Sequence, residues 1–103
     1  MVEKVKKFNE NTMCHKEPMS VYARLMDIQS ELGELSKEYL KGSEYGLTEF
    51  KKTEDFELEF GDVLYSLLSL SLEQNINAEK ALDTVLEKYK KRIEEKKNMG
   101  SGR

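Results

Sequence analysis

The sequence is poor in the residues that indicate cross-links or membrane segments. Among its 103 residues there is one cysteine, one proline and no tryptophan. A single cysteine excludes a disulfide framework and fits a reducing compartment. No run approaches the roughly 18 consecutive apolar residues of a membrane span, and the first residues lack the apolar segment of a signal peptide. We therefore expect a cytoplasmic protein.

The sequence also has few β-branched residues, which argues against a sheet. Charged residues make up 36% and hydrophobic residues 38% of the chain, and the net charge is -3. This balance fits a soluble helical domain and offers no basic face for a nucleic acid polymer. We expect one helical domain over residues 1–98 and a flexible tail over residues 99–103.

Apolar periodicity predicts three main helices. The first runs from Pro18 to about Lys41, the second from Thr53, as N-cap, to about Gln74, and the third from Ala78, capped by Asn77, to about Lys97. A short helix from Val2 to Phe8 could precede them. The predicted fold is an all-α antiparallel helical bundle. Apolar residues occupy nearly every face of the second main helix, which suggests that dimerisation completes the bundle.

Each of the first two main helices carries a pair of acidic residues at a spacing of three. Glu31 and Glu34 form one pair, and Glu59 and Asp62 form the other. Residues three apart share a helix face, so four carboxylates can converge if the helices pack together. Such a group repels itself unless a cation neutralises it. Hard oxygen ligands favour Mg²⁺, with Mn²⁺ as an alternative.

Each pair also has a structural interpretation. Glu31 and Glu34 could be part of a solvated helix face. Glu59 and Asp62 lie in the most apolar helix, where acids are rarely unpaired, although an exposed polar stripe with Ser66 and Ser69 would accommodate them. Gly33 and Gly61, one inside each pair, suggest close approach of a helix or a ligand.

The two motifs with their flanks, ELGELSKEYLKG and EFGDVLYSLLSLSLEQNINAEKAL, resemble the ExxE…ExxD signature of the MazG-like all-α nucleotide pyrophosphohydrolases. The resemblance covers roughly residues 21–92. It implies Mg²⁺-dependent hydrolysis of a nucleoside or deoxynucleoside triphosphate to the monophosphate and pyrophosphate, with removal of non-canonical nucleotides as one role. It also implies a homodimer or homotetramer. Glu31, Glu34, Glu59 and Asp62 are then expected as metal ligands, and Glu34 or Glu38 as the residue that activates water.

The chain departs from the family pattern in two places. Ser30 stands where many members have a second acid. On the last helix, Val85 and Tyr89 stand where many members have lysine and asparagine, and only Arg92 matches. Arg92 is therefore the main candidate for binding phosphate, because guanidinium binds phosphate in a bidentate way. Lys88 and Lys96, one turn to either side of it, are further candidates.

The nucleobase site and the competing functions are less well defined. Tyr65 is the expected substrate-binding aromatic residue, and Phe8, Tyr22 and His15 are alternatives. Zinc binding by His15 and Cys14 is rejected for lack of further ligands, and a di-iron site is rejected because paired Glu-x-x-His motifs are absent. A non-catalytic helical binding or regulatory protein stays open as the alternative function.

Overall fold

A computed structural model describes residues 1–12 and 19–101. The regular elements of these ranges are four α-helices: α1 (Val2–Thr12), α2 (Val21–Gly42), α3 (Glu54–Glu73) and α4 (Ala78–Ser101). The prediction of an all-α fold is confirmed. Among these helices, none combines the length and the apolar content that a membrane span requires. Cys14 and His15 lie outside the described residues.

Side-chain caps determine where three of the helices begin. The side-chain oxygen atoms of Ser20, Thr53 and Asn77 each accept a hydrogen bond from the backbone N–H three residues later, at 3.0–3.1 Å. Such a bond satisfies one of the otherwise unpaired N–H groups of the first turn. The predicted caps Thr53 and Asn77 are confirmed. The predicted start of α2 at about Pro18 is too early, because the Ser20 cap places the first helical residue at Val21. Pro18 itself lies outside the described residues.

The other helix ends lie within a few residues of their predicted positions. The short N-terminal helix continues beyond Phe8 to Thr12, and α3 ends at Glu73, as expected. The backbone of α4 continues past Lys97 to Ser101 and so enters the segment expected to be a tail. The helical part of the chain is therefore slightly longer than the periodicity of its apolar residues indicates.

The helix α3 is the centre of the packing. It lies against α2 along much of its length and against α1 near its own C-terminal half, whereas α4 packs closely against none of the other helices in the described ranges. The radius of gyration is 18.4 Å, compared with about 13 Å for a compact chain of 100 residues. The single chain is therefore extended, with principal dimensions of 61 × 40 × 23 Å.

The most buried side chains on α3 are small and polar rather than large and apolar. In residues 1–12 and 19–97, no apolar side chain is fully buried, while Ser66 and Ser69 are 3% and 0% exposed. Small side chains allow helices to approach closely. The alternative interpretation, in which Ser66 and Ser69 form an exposed stripe beside Glu59 and Asp62, is therefore wrong.

The apolar stripes that predict the main helices are half-exposed in the single chain. This holds for α2, for the apolar faces of α3 and for α4, where Leu86 and Ile93 are 53% and 59% exposed. Apolar area of this extent normally marks a contact surface. The exposed stripe residues are Val21, Leu25, Leu32 and Tyr39 on α2, Leu58, Phe60 and Leu67 on α3, and Leu82, Leu86, Tyr89 and Ile93 on α4.

The connection between α2 and α3 is tightly folded. Ser43 is 1% exposed, donates a hydrogen bond to the Tyr39 carbonyl and accepts one from the Gly46 N–H. The Phe50 ring packs on Tyr39 with ring centroids 5.1 Å apart. A Cβ on Gly42 would lie 2.8 Å from a Phe50 ring carbon. The end of α2 is thus fixed next to the segment that leads into α3.

Candidate metal centre

Three carboxylates from two helices meet where α2 and α3 pack together. Glu31 of α2 and Glu59 and Asp62 of α3 each offer an oxygen atom, and these atoms all lie within 4.8 Å of one another. Glu59 and Asp62 come together because they are three residues apart on one helix face. Glu31 comes from the facing helix. Glu31 and Glu59 are partly buried and Asp62 is exposed, so the group is open to solvent on one side.

The local electrostatics disfavour ionisation of this group in the absence of a cation. Burial is the largest cause that raises the pKa of Glu31, and the charges of Asp62, Asp27 and Glu34 raise it further. Burial is likewise the main cause that raises the pKa of Glu59, followed by the charge of Asp62 and a hydrogen bond with it. Desolvation and like charges both favour the neutral acid. A divalent cation would reverse this balance.

Glu34 does not belong to this group of three. It was expected as a fourth ligand, and it is close enough for its charge to raise the pKa of both Glu31 and Glu59. Its side chain is exposed. Glu34 therefore lies at the edge of the group, in reach of a molecule that approaches from solvent.

Glu38 is more enclosed than a surface glutamate. Its side chain is 12% exposed, and one of its oxygen atoms lies 3.3 Å from the Lys41 ammonium. This hydrogen bond is the main cause that raises the pKa of Lys41. The Glu38 carboxylate thus already has a cationic partner, unlike Glu34, for which the structure gives no such ion pair in the described ranges.

An arginine that the sequence analysis did not single out joins α2 to α3. The Arg24 guanidinium donates to both carboxylate oxygen atoms of Glu73, from Nε at 3.0 Å and from Nη2 at 2.7 Å. Its Nη1 donates to Asp27 at 2.9 Å. The signal in the sequence was an arginine one turn before the acidic stripe of α2, which consists of Asp27, Glu31, Glu34 and Glu38. Its partner on α3 could not be inferred from spacing.

The basic residues of α4 line a shallow groove along that helix. Lys88, Lys91 and Arg92 alternate there with Asp83, Glu87 and Glu95, so the groove has mixed charge. Lys96 is exposed on the same helix but lies outside the groove. This groove lies on α4, which packs closely against none of the other described helices in the single chain.

Tyr65 faces α1. Its hydroxyl donates a hydrogen bond to Asn9 Oδ1 at 2.5 Å, and its ring packs edge-to-face on Phe8 with centroids 5.9 Å apart. Asn9 also donates to Ser69 Oγ at 3.2 Å. Tyr22 is 79% exposed, and His15 lies outside the described part of the chain. Of the aromatic candidates in the described residues, Tyr65 and Phe8 therefore lie together, whereas Tyr22 is largely exposed.

Comparison with known proteins identifies the family. Residues 2–96 match the family model described as the MazG nucleotide pyrophosphohydrolase domain. The chain belongs to the MazG family. The resemblance inferred from ELGE and EFGD is thus confirmed, and the family implies nucleotide pyrophosphohydrolase activity in general. The three grouped carboxylates come from those two MazG motifs, one from ELGE and two from EFGD.

A curated relative of the chain is described as uncharacterized. The chain is 40% identical over 78 residues to the uncharacterized protein YpjD of Bacillus subtilis (strain 168). The match covers 73% of this chain and 66% of YpjD, slightly less than two thirds of that relative. No solved structure matches the chain significantly.

Proposed function

We propose that this protein is a Mg²⁺-dependent nucleoside triphosphate pyrophosphohydrolase, which converts a (d)NTP to the (d)NMP and pyrophosphate. The observation that supports this most is the group formed by Glu31, Glu59 and Asp62 across α2 and α3, in a chain that matches the MazG model over residues 2–96. Canonical and non-canonical nucleotides are both candidate substrates.

The donor set fits a hard divalent cation. All three groups offer carboxylate oxygen, which Mg²⁺ and Mn²⁺ prefer, and Mg²⁺ retains several water molecules. The open side at Asp62 leaves room for water and phosphate oxygen atoms. The raised pKa values of Glu31 and Glu59 indicate carboxylates whose charge is poorly compensated by the protein itself. Glu34 is positioned to join through water or after a small movement.

When bound, Mg²⁺ would neutralise phosphate charge and orient the triphosphate for attack. The protein would then have to hold a water molecule and accept its proton. Glu34 is our candidate for this task, because it is exposed at the edge of the group. Glu38 already accepts a hydrogen bond from Lys41, and we assign it to holding that lysine beside the acidic stripe.

The proposed hydrolysis is balanced in bonds and protons. Water oxygen forms a bond to phosphorus, the α–β phosphoanhydride bond breaks, the proton goes to the carboxylate of Glu34, and pyrophosphate leaves as the anion. Arg92, with Lys88 and Lys91 in the same groove, would contact phosphate oxygen atoms, because guanidinium and ammonium groups form strong hydrogen bonds with anions. Lys96 and Tyr65 are secondary candidates for contacts with the substrate.

A second copy of the chain is part of this proposal. The groove that contains Arg92 lies on α4, which does not pack closely on α2 and α3. Half-exposed apolar stripes occur on all three of these helices. A Cβ built on Gly33 or Gly61 would meet nothing within 4 Å. Neither glycine is therefore required for a close helix contact within the described part of this chain. We propose an antiparallel bundle completed by dimerisation, or by a pair of dimers, that covers these stripes.

Pyrophosphate release from a panel of canonical and modified triphosphates with Mg²⁺ tests the proposal. We expect turnover by the wild-type protein and a large loss in Glu59→Gln. The matched control is Glu57→Gln on the same helix, since Glu57 is 61% exposed and pairs with Lys52 outside the acidic group. If no nucleotide is hydrolysed by the wild type, the enzymatic proposal fails.

One observation favours a second candidate function. Val85 and Tyr89 stand where many relatives of this family have polar phosphate-binding residues, and a helical binding or regulatory protein without turnover would tolerate this. Calorimetric titration distinguishes the two proposals. A catalytic protein binds Mg²⁺ saturably, whereas a bundle with vestigial carboxylates gives no saturable heat.

A further inference from the structure

Arg24 is charged and yet buried, with only 5% of its surface exposed. Three of its nitrogen atoms donate to carboxylates, two of them to Glu73 in a bidentate arrangement and one to Asp27. The Glu73 side chain is itself 9% exposed. A buried bidentate pair fixes both the distance and the relative plane of its two groups.

The value of such a pair for stability alone is modest. Two charges lose their hydration on burial, and an apolar pair of similar volume is often equally stable or more stable. A buried polar pair can instead select one register among several of similar energy. The Arg24–Glu73 pair joins the first turns of α2 to the last turn of α3, so it acts on the register of these two helices.

The register of α2 on α3 determines whether the three carboxylates meet. Glu31 lies two turns after Arg24 on α2, and Asp62 lies about three turns before Glu73 on α3. A slip by one turn moves one helix by about 5.4 Å relative to the other. That movement exceeds the 4.8 Å within which the oxygen atoms of Glu31, Glu59 and Asp62 now lie. The group would open.

Arg24 also binds the first acid of the α2 stripe. Asp27 lies one turn before Glu31 and is the first acid of that stripe, but its carboxylate is bound by Arg24 at 2.9 Å. It is not among the three grouped residues. Arg24 thus holds the carboxylate of Asp27 and, through Glu73, the helix α2 that carries Glu31.

We propose that Arg24 is a positioning residue of the metal centre. Through Glu73 it sets the register of α2 on α3 and thereby places Glu31 opposite Glu59 and Asp62. The inference rests on the proposed function, since it presumes that this group binds a divalent cation. The hydrogen bonds of Arg24 go to Glu73 and Asp27, neither of which belongs to the group of three.

The positioning role of Arg24 is tested by the Mn²⁺ affinity of the 103-residue chain. The electron paramagnetic resonance signal of the free ion measures this affinity. Arg24→Lys retains the charge but loses the bidentate geometry, and we expect Mn²⁺ to bind at least tenfold more weakly. The double variant Arg24→Met with Glu73→Leu replaces the buried pair by apolar groups. We expect it to unfold at a temperature near that of the wild type, yet to bind Mn²⁺ as weakly as Arg24→Lys.

A control separates positioning from stability. Asn9→Ala removes the hydrogen bonds of α1 to Tyr65 and Ser69 and lowers stability without affecting the α2–α3 register. We expect it to bind Mn²⁺ like the wild type. If the folded double variant binds Mn²⁺ with wild-type affinity, the positioning role of Arg24 is overturned. If the wild type itself binds no Mn²⁺, the proposed metal-dependent function fails, and this inference fails with it.

Discussion

Glu31 of α2 and Asp62 of α3 bring carboxylate oxygen atoms to within 4.8 Å of each other, with Glu59 beside them. The two acids are far apart in sequence, and only the packing of the helices brings them together. Burial raises the pKa of Glu31 most, and the like charge of Asp62 raises it further. Such an arrangement is unfavourable in the protein alone and becomes favourable when a cation is shared among the carboxylates.

Replacement of Glu59 by glutamine should strongly weaken metal binding with little loss of stability. Glutamine retains the shape but removes a charge and a ligand oxygen of the group. We expect metal affinity to fall by at least the roughly 10- to 100-fold that loss of a ligand's own hydrogen-bonding partner costs in metal sites. Calorimetric titration with Mg²⁺ or Mn²⁺ measures this, with Glu57→Gln as the control. Equal affinity of Glu59→Gln and wild type would contradict the assignment.

The stability of the metal-free protein should depend on pH through Glu31 and Glu59. Their pKa values are raised above the usual 4.5 in the folded state, so the folded protein binds protons more tightly than the unfolded chain. The stability that they contribute is fully present below about pH 4.5 and is lost as the pH rises through the folded pKa values. Saturating Mg²⁺ should reverse this trend, because it favours the ionised forms.

Thermal unfolding between pH 4 and 7.5, with and without Mg²⁺, measures this dependence. Glu59→Gln should show a shallower change with pH in the absence of metal, since one of the two titrating groups is gone. An identical pH profile for this variant and the wild type would show that the carboxylates are not coupled as the structure indicates.

Arg92→Ala should weaken substrate turnover more than Lys90→Ala. Arg92 lines the groove on α4, whereas Lys90 lies on the same helix outside it. A hydrogen bond to a charged group contributes about 1.5–3 kcal/mol, which corresponds to roughly 10- to 100-fold in kcat/KM. Steady-state kinetics of both variants test this, and similar values for the two would remove Arg92 from the substrate site.

Two glycines in α2 should respond to alanine in opposite directions. A Cβ at Gly33 meets nothing within 4 Å in the chain, whereas one at Gly42 would lie 2.8 Å from the Lys51 carbonyl oxygen and from the Phe50 ring. Alanine in a helix interior is favoured over glycine by about 1 kcal/mol. Gly33→Ala should therefore stabilise the fold of the single chain, and Gly42→Ala should destabilise it.

Denaturant unfolding of the two variants at low protein concentration, where association is weakest, gives both signs. If Gly33→Ala is destabilising even there, another part of the protein approaches that glycine. If Gly42→Ala is neutral, the connection between α2 and α3 is looser than the contacts of Phe50 indicate.

Leu86→Glu should reduce self-association. Leu86 is 53% exposed in the apolar stripe of α4, and a charge in an interface is costly to bury. Lys80→Glu introduces the same residue on the opposite side of α4, where Lys80 is exposed, and should have little effect. Sedimentation velocity of the wild type and both variants measures the oligomeric state. A wild type that stays monomeric at high concentration would contradict the proposed dimer.

Much of the fold and part of the candidate site could be predicted from the sequence. The caps at Thr53 and Asn77 are local interactions over three residues, and so is the convergence of Glu59 and Asp62 on one helix face. The motifs ELGE and EFGD were sufficient to indicate the MazG family. In contrast, the start of α2 was placed too early, because the cap at Ser20 is as short a signal as the proline that preceded it.

The sequence by itself determined the helices, their polarity patterns and the family, because these depend on residues within a few turns of one another. Only the tertiary structure decided that Glu34 lies outside the group of three carboxylates and that Ser66 and Ser69 are buried. It also revealed that Arg24 binds Glu73. These features depend on how α2 and α3 are rotated and shifted against each other, and helical periodicity is almost unchanged by a shift of one turn.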